Sequence, residues 1–320
     1  MTTEVKMDGI ININKEKGYT SHDVVAVLRK LLHIKKIGHT GTLDPDATGV
    51  LPVCVGKATK VCDVITDRDK TYEAKVILGI TTDTLDTSGN ILEKNPVNIT
   101  KDDLMSVLSH FKGEIEQIPP MYSAIKVNGK KLYEYAREGV EIERKKRHVN
   151  IYDIELLDEN LHEWDPSDGE DKLPSFTIRV SCSKGTYIRT LCDDIGRELG
   201  CGAAMSELTR TAVGRFLISD SLCLSDVEEK LKCVENNTGD LSEWMIPVDK
   251  IFEMYPKAVV KKEAMKLLIN GNPIDKKSVI ITDEKTTDDA DIYRVYSDEG
   301  EFYALYRNKG NKIIVEKYFH

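Results

Sequence analysis

The sequence predicts an α+β fold, with a sheet flanked by helices and a smaller β-rich unit after it. Three observations carry this. Apolar or alternating runs at residues 9–13, 51–55, 70–79, 149–157 and 176–182 have the length and patterning of strands. Helical apolar spacing recurs in three places, beginning near His22, Thr100 and Arg189. From about Asp249 onward the chain turns to short strand-like runs divided by Asp, Gly and Asn turns.

The length of 320 residues allows a large core and two domains, expected over 1–248 and 249–320. No stretch approaches a membrane span and no apolar leader stands at the N-terminus, so a cytoplasmic protein is expected. Seven cysteines, an odd number with no CxxC pair, fit a reducing compartment and small buried apolar positions, and they argue against a zinc site. The net charge of -9 runs against the usual basic balance of a nucleic-acid binder. Binding depends on where the cations sit, however, and not on their total.

The first strand, 9–13, ends at Asn14-Lys15 and a Lys17-Gly18 turn. Thr20 or Ser21 caps the helix that starts near His22, and Val24, Val25, Leu28, Leu31 and Leu32 form its apolar stripe. Arg29, Lys30, Lys35 and Lys36 gather at its C-terminal end, where cations are favoured. They serve equally well as a solvated helix end or as phosphate contacts.

Residues 38–53, GHTGTLDPDATGVLPV, form a turn-rich segment ending in a strand. Pro45 biases Asp44 away from the α region and gives its side chain a defined direction. Read alone, Asp44 opens an Asx turn or caps a helical turn, and Asp46 could do the same. GKATK at 56–60 lacks the spacing of a phosphate loop. Tyr72 lies in the alternating strand 70–79, where a tyrosine commonly just packs. Residues 81–92 are polar and turn-rich; Asp83 and Asp86 lack the EF-hand spacing, and a structural loop is expected. Thr100 caps the helix 99–111.

Residues 118–147 interleave Tyr122, Tyr133 and Tyr135 with Lys126, Lys130, Lys131 and Arg137, and close on Arg144, Lys145, Lys146 and Arg147. Cations on phosphates and rings on bases would suit RNA; a charged soluble helix and strand edge fits the same residues. The strand 149–157 leads to an acidic stretch, 158–174, expected as an exposed loop or hairpin tip. The strand 176–182 turns at Ser183-Lys184-Gly185 into a helix carrying Arg189 and reaching about Leu199. Two glycines end that helix in the segment 200–216, where Arg210 and Arg215 read as surface or RNA contacts. Helices complete the domain over 219–237, and 282–291 is an acidic linker within the C-terminal unit.

Taken in order, these segments resemble the bacterial tRNA pseudouridine-55 synthases, the TruB family. GHTGTLDPDATGVLPV resembles the active-site motif, and the resemblance makes Asp44 the catalytic nucleophile and His39 the residue that occupies the opened RNA loop. Asp46 falls on a variable position. NKEKGYTSHDVV resembles the family's NKPxGxTS segment, with Lys15 its lysine and Glu16 in place of the usual proline. KTYEAKVILG resembles the KxYxAxxxLG motif, whose tyrosine, here Tyr72, stacks on the uracil and is a candidate for proton removal. CSKGTYIRTL resembles the third motif, whose arginine, here Arg189, pairs with the catalytic aspartate, with Tyr187 in the same pocket. Leu208 matches the apolar residue beneath the base. Residues 118–147 resemble the RNA-gripping thumb, which would set Lys126, Lys145, Lys146 and Arg147 on RNA.

The resemblance implies a central mixed, mainly antiparallel sheet and a small PUA-like RNA-binding domain at 249–320. It also implies conversion of uridine 55 in the T arm of tRNA to pseudouridine, by a monomer needing no metal, no cofactor and no obligate protein partner. Two readings compete: a tRNA-binding or folding protein without catalysis, and the catalytic subunit of a guide-RNA-dependent pseudouridylation complex. A hydrolase using Asp44 and Asp46 is disfavoured, because carboxylates two residues apart in a turn rarely face each other across a substrate.

Overall fold

The computed structural model describes residues 7–169, 172–282 and 290–320. The first strand, β1 (Gly9–Lys15), is nearly all buried, as its GIININK sequence requires. In α1 (Ser21–Leu32), Thr20 forms a capping box: its hydroxyl accepts from the Asp23 N–H while the Asp23 carboxylate accepts from the Thr20 N–H. Val24, Val25, Leu28 and Leu32 face inward. Then come β2 (Ile37–His39), the apolar β3 (Thr48–Val55) and a short α2 (Cys62–Thr66). In β4 (Lys70–Leu78) buried and half-buried residues alternate throughout.

A separate hairpin, β5 (Ile80–Thr82) and β6 (Ile91–Lys94), precedes α3 (Lys101–His110), which Thr100 and Asp103 cap. After β7 (Gly113–Gln117) the chain makes an excursion through β8 (Lys126–Val127), β9 (Lys130–Lys131) and α4 (Leu132–Arg137). The antiparallel pair β10 (Arg147–Asn160) and β11 (Ser175–Cys182) follows, then α5 (Ile188–Glu198), β12 (Ala203–Val213), β13 (Phe216–Leu217) and α6 (Leu224–Glu235).

These strands build a nine-stranded sheet in the order β1-β3-β12-β4-β11-β10-β7, with β2 on β3 and β13 on β12. Only β3 and β12 run parallel among its described pairs. The expected mixed, mainly antiparallel sheet is therefore present. Helices α3 and α5 cover one apolar cluster and α1 and α6 another.

A second sheet holds β14 (Lys257–Val260), β15 (Ile274–Asp275), β16 (Val279–Ile281), β17 (Ile292–Tyr296), β18 (Phe302–Lys309) and β19 (Lys312–Tyr318), with α7 (Met265–Ile269) beside it. Its core meets the first sheet directly: Ile10, Val50 and Phe216 share one cluster with Phe252, Leu305 and Phe319. The rings of Phe302 and Phe319 stack at 5.3 Å, and Lys317 pairs with Asp63 at 2.7 Å. Residues 283–289, most of the acidic linker, lie outside the described residues. No helix among the described residues is long and apolar enough to cross a membrane.

One segment that the sequence left without an element is filled, one expectation is corrected and one is refined. The segment 200–216 is mostly β12, a strand in the interior of the sheet, between β3 and β4. Bulges between Met205 and Glu207 and between Arg210 and Ala212 break its two-residue period and hide it in the sequence. The acidic stretch 158–174 is not all exposed: Trp164 is buried, bridges to Val97 and packs on Gly79, where a Cβ would lie 2.9 Å from the indole ring. Within 219–237 the α-helix is confined to α6, after a single 3-10 turn at Ile218–Asp220.

Candidate active site

The loop between β2 and β3 presents Asp44 at the edge of a cleft of about 590 Å³. Three contacts fix the backbone around it. The Leu43 N–H donates to Ser21 Oγ at 2.9 Å, the Ala47 N–H donates to the Asp44 carbonyl at 3.1 Å, and Lys15 Nζ donates to the Pro45 carbonyl at 3.2 Å. Pro45 O also accepts from the Gly18 N–H, so the first turn of the chain clamps the loop. The Asp44 side chain itself is 45 % exposed.

Its partner comes from the start of α5. Arg189 is buried, and its guanidinium reaches four oxygens. Nη2 lies 3.1 Å from Asp44 Oδ2 and 2.8 Å from the Tyr122 carbonyl. Nη1 lies 3.2 Å from the Thr84 carbonyl and 3.4 Å from Asp86 Oδ2. A buried arginine thus faces two carboxylates, one solvated and one 18 % exposed. Asp86, read from sequence as part of a structural loop, belongs to the site; the acidic spacing was visible, but the arginine it meets is remote in the chain.

Leu208 lines the cleft from β12, with Tyr122, Tyr133 and Arg137 across from it on the excursion between β7 and β10. Tyr72 is buried, 9 % exposed, in the apolar cluster that holds Leu43 and Ala47 and against which Leu208 packs. Burial pushes its phenol up, and the charge of Arg210 pulls the other way. Tyr187 immediately precedes α5 and is held by a two-way amide clamp: its N–H donates to Gln117 Oε1 at 3.0 Å and its carbonyl accepts from Gln117 Nε2 at 3.2 Å. Burial pushes the Tyr187 phenol up as well.

Lys15 does not reach the cleft. It is completely buried, and its ammonium is spent on the carbonyls of Glu16, Tyr19 and Pro45. Burial lowers its pKa, with Asp44 and Asp46 opposing. The structure therefore gives it the task of holding the loop, because no donor remains turned outward. His39 lies on β2 and meets His22 edge-on, Nε2 to Nδ1 at 3.3 Å; burial and that neighbour lower its pKa.

Lys126, Lys145 and Arg147 are exposed, as a phosphate-contacting role requires. Lys146 is paired with Glu116 at 2.9 Å and borders a neighbouring cleft with Arg144. Arg210 is no surface residue: it is 1 % exposed. Arg215 instead ties the two sheets' connection, meeting Glu253 at 2.8 Å.

Chemically, the site offers an accessible carboxylate aimed by a fixed cation, an apolar shelf and aromatic walls. The sequence matches the model of the TruB family pseudouridylate synthase N-terminal domain over residues 29–188. Residues 189–253 match that of the tRNA pseudouridylate synthase B C-terminal domain. The tRNA pseudouridine synthase B of Lachnoclostridium phytofermentans is 52 % identical over 94 % of this chain and 95 % of that protein. That of Clostridium kluyveri is 44 % identical over 98 % of this chain and 100 % of that protein. Among solved structures, a chain of a Cbf5-Nop10-Gar1 complex superposes with a TM-score of 0.69 at 29 % identity, covering 98 % of this chain and 85 % of that one.

Proposed function

The chain belongs to the TruB family of pseudouridine synthases, isomerases of tRNA uridine, and on that premise we propose that its target is uridine 55 in the T arm, flipped out of its stack into the cleft. One observation carries the reading: a half-exposed Asp44 carboxylate stands in an open cleft with the buried Arg189 guanidinium 3.1 Å away.

Asp44 acts as the nucleophile, at C1′ of the ribose or C6 of the uracil. Arg189 aims it. The N1–C1′ bond breaks, the ring turns, and C5 bonds to C1′. C5 then loses a proton and N1 gains one. The atoms balance as an isomerisation, so the reaction calls for no oxidant, reductant or organic cofactor. Leu208 supports the base from below, Tyr72 offers its ring and takes the C5 proton, and Tyr187 closes the pocket. His39 fills the space the base leaves in the RNA loop. Lys126, Lys145, Lys146 and Arg147 grip phosphates, and residues 249–320 form an RNA-contacting domain beside the catalytic one at 1–248. The enzyme works as a cytoplasmic monomer.

A second reading is a guide-RNA-directed complex, favoured by the likeness to a chain of the Cbf5-Nop10-Gar1 assembly. Identity of 44 % and 52 % to tRNA pseudouridine synthase B proteins, against 29 % to that chain, favours the stand-alone form. The test is to incubate this chain alone with an unmodified tRNA transcript and map pseudouridine. Modification at position 55, abolished when that uridine is replaced by cytidine, is the expected result. Modification elsewhere, or only after a guide RNA and partners are added, would overturn the reading.

A further inference from the structure

Arg210 heads the fully buried side chains by volume among the described residues. It lies on β12 where three strands meet, opposite Tyr72 of β4 and beside Gly49 of β3. Only a glycine fits at that neighbour: a Cβ on Gly49 would sit 2.2 Å from the Arg210 carbonyl oxygen, and its φ is +101°. Arg210 Nε donates to the Val50 carbonyl at 2.7 Å, which fixes the guanidinium in the sheet's interior. Nη2 is buried with no partner.

A guanidinium so placed is costly unless a counter-ion meets it. Its surroundings offer the opposite. Lys15, Lys70 and His39 all feel Arg210 as a like charge, and no salt bridge joins Arg210 to a carboxylate among the described residues. The Tyr72 phenol stands on the adjacent strand at the same register, near enough for the Arg210 charge to act on it. Burial disfavours the anion most; of the groups around that phenol, Cys182 on β11 and Asp44 in the loop disfavour it as well, and Arg210 on β12 favours it.

We propose that Arg210 is a positioning residue for the reaction: held by Val50, it orients the Tyr72 hydroxyl and stabilises the phenolate that removes the C5 proton. The inference rests on Tyr72 being the proton acceptor. In that step Tyr72 enters as phenolate, its own proton having passed to water. The C5–H bond breaks, the proton goes to the phenolate oxygen, and the C–H electron pair restores the C5=C6 double bond. N1 takes up the proton that water held, so no net proton is exchanged. The missing counter-ion of Arg210 is supplied transiently, by the tyrosine itself.

The experiment measures single-turnover pseudouridine formation on tRNA transcripts carrying protium or deuterium at uridine C5. Wild type, Arg210→Met, Arg210→Lys and Tyr72→Phe are compared, with RNA affinity measured in parallel. Arg210→Met is expected to slow product formation roughly 10²-fold, to leave affinity unchanged, and to show a deuterium effect larger than the wild type's. Arg210→Lys keeps a cation but cannot serve Val50 and Tyr72 together, so it should show the same effect in smaller measure. It also stands as the test if the Met variant does not fold. A slow Arg210 variant without an increased deuterium effect, while Tyr72→Phe has one, overturns the role of Arg210 and leaves that of Tyr72 standing. Absence of the effect in Tyr72→Phe overturns the assignment of Tyr72, and this inference with it.

Discussion

Asp44 and Asp86 hold the same guanidinium through different nitrogens, Nη2 of Arg189 at 3.1 Å for Asp44 and Nη1 at 3.4 Å for Asp86. Both carboxylates line the cleft, but they differ in exposure, 45 % against 18 %, so Asp44 is the more open of the two. Asp86 spends its charge inside the protein, locking the far side of the fork. Arg189→Lys keeps the charge but cannot reach both sides at once. It should lower the single-turnover rate about 10²-fold, and Asp86→Asn should lower it less, both with tRNA affinity retained in a filter-binding titration. Equal rates for wild type and Arg189→Lys would remove the fork from catalysis.

Asp44→Asn preserves shape and removes the carboxylate proposed as nucleophile. Pseudouridine formation on a transcript should fall to background while the dissociation constant for tRNA stays within about threefold, since a lone cleft-edge carboxylate adds little to binding a polyanion. Turnover at wild-type rate would take Asp44 out of its role.

Lys15 is an anchor for the loop that carries Asp44. Lys15→Met leaves three carbonyls without their shared donor and should destabilise the fold by about 1.5–3 kcal/mol, read by urea denaturation. Because Pro45 is one of the three carbonyls, kcat should fall more than KM rises. A variant as stable as wild type would show that the buried ammonium holds nothing.

Neutralising Lys145, Lys146 and Arg147 together should weaken tRNA binding. It should also flatten the slope of log K against log salt by roughly 2 to 3. Lys146 contributes least, being already paired with Glu116. An unchanged slope would return the run to ordinary solvated surface.

Lys70 gives the protein a pH signature. Burial, with the Arg210 charge behind it, pulls its ammonium from the ordinary 10.5 down to about 8. Between those values the unfolded chain holds a proton that the folded chain has shed, so Lys70's contribution to stability rises with pH across that window. Compared with Lys70→Met, the wild type should gain up to about 3 kcal/mol from neutral pH to the upper end of the window, measured by denaturant titration. A difference independent of pH would mean that Lys70 titrates normally.

Much of the fold was legible because local rules act locally. The capping threonines Thr20 and Thr100, the alternation of β4 and the short strands after residue 290 all follow from patterns spanning a few residues. Asp44 and Arg189 were named as a pair through the family's motifs, and neither residue alone announced the other. What stayed hidden depends on contacts far apart in sequence. Arg210 looks like any surface arginine until β12 is seen between β3 and β4, and β12 is masked by its own bulges. Asp86 reads as turn chemistry until α5 brings Arg189 against it, and Lys15 reads as a substrate contact until its three carbonyls are seen to enclose it.

The aromatic seam between the two sheets has a practical meaning for anyone cutting the chain apart. Phe252, Phe302 and Phe319 insulate Ile10 and Val50, and Val50 is also the residue whose carbonyl steadies Arg210. Shortening the protein ahead of β14 would therefore wet the underside of the strand that leads out of the loop carrying Asp44. The tail thus backs the first sheet from behind, at one remove from the cleft.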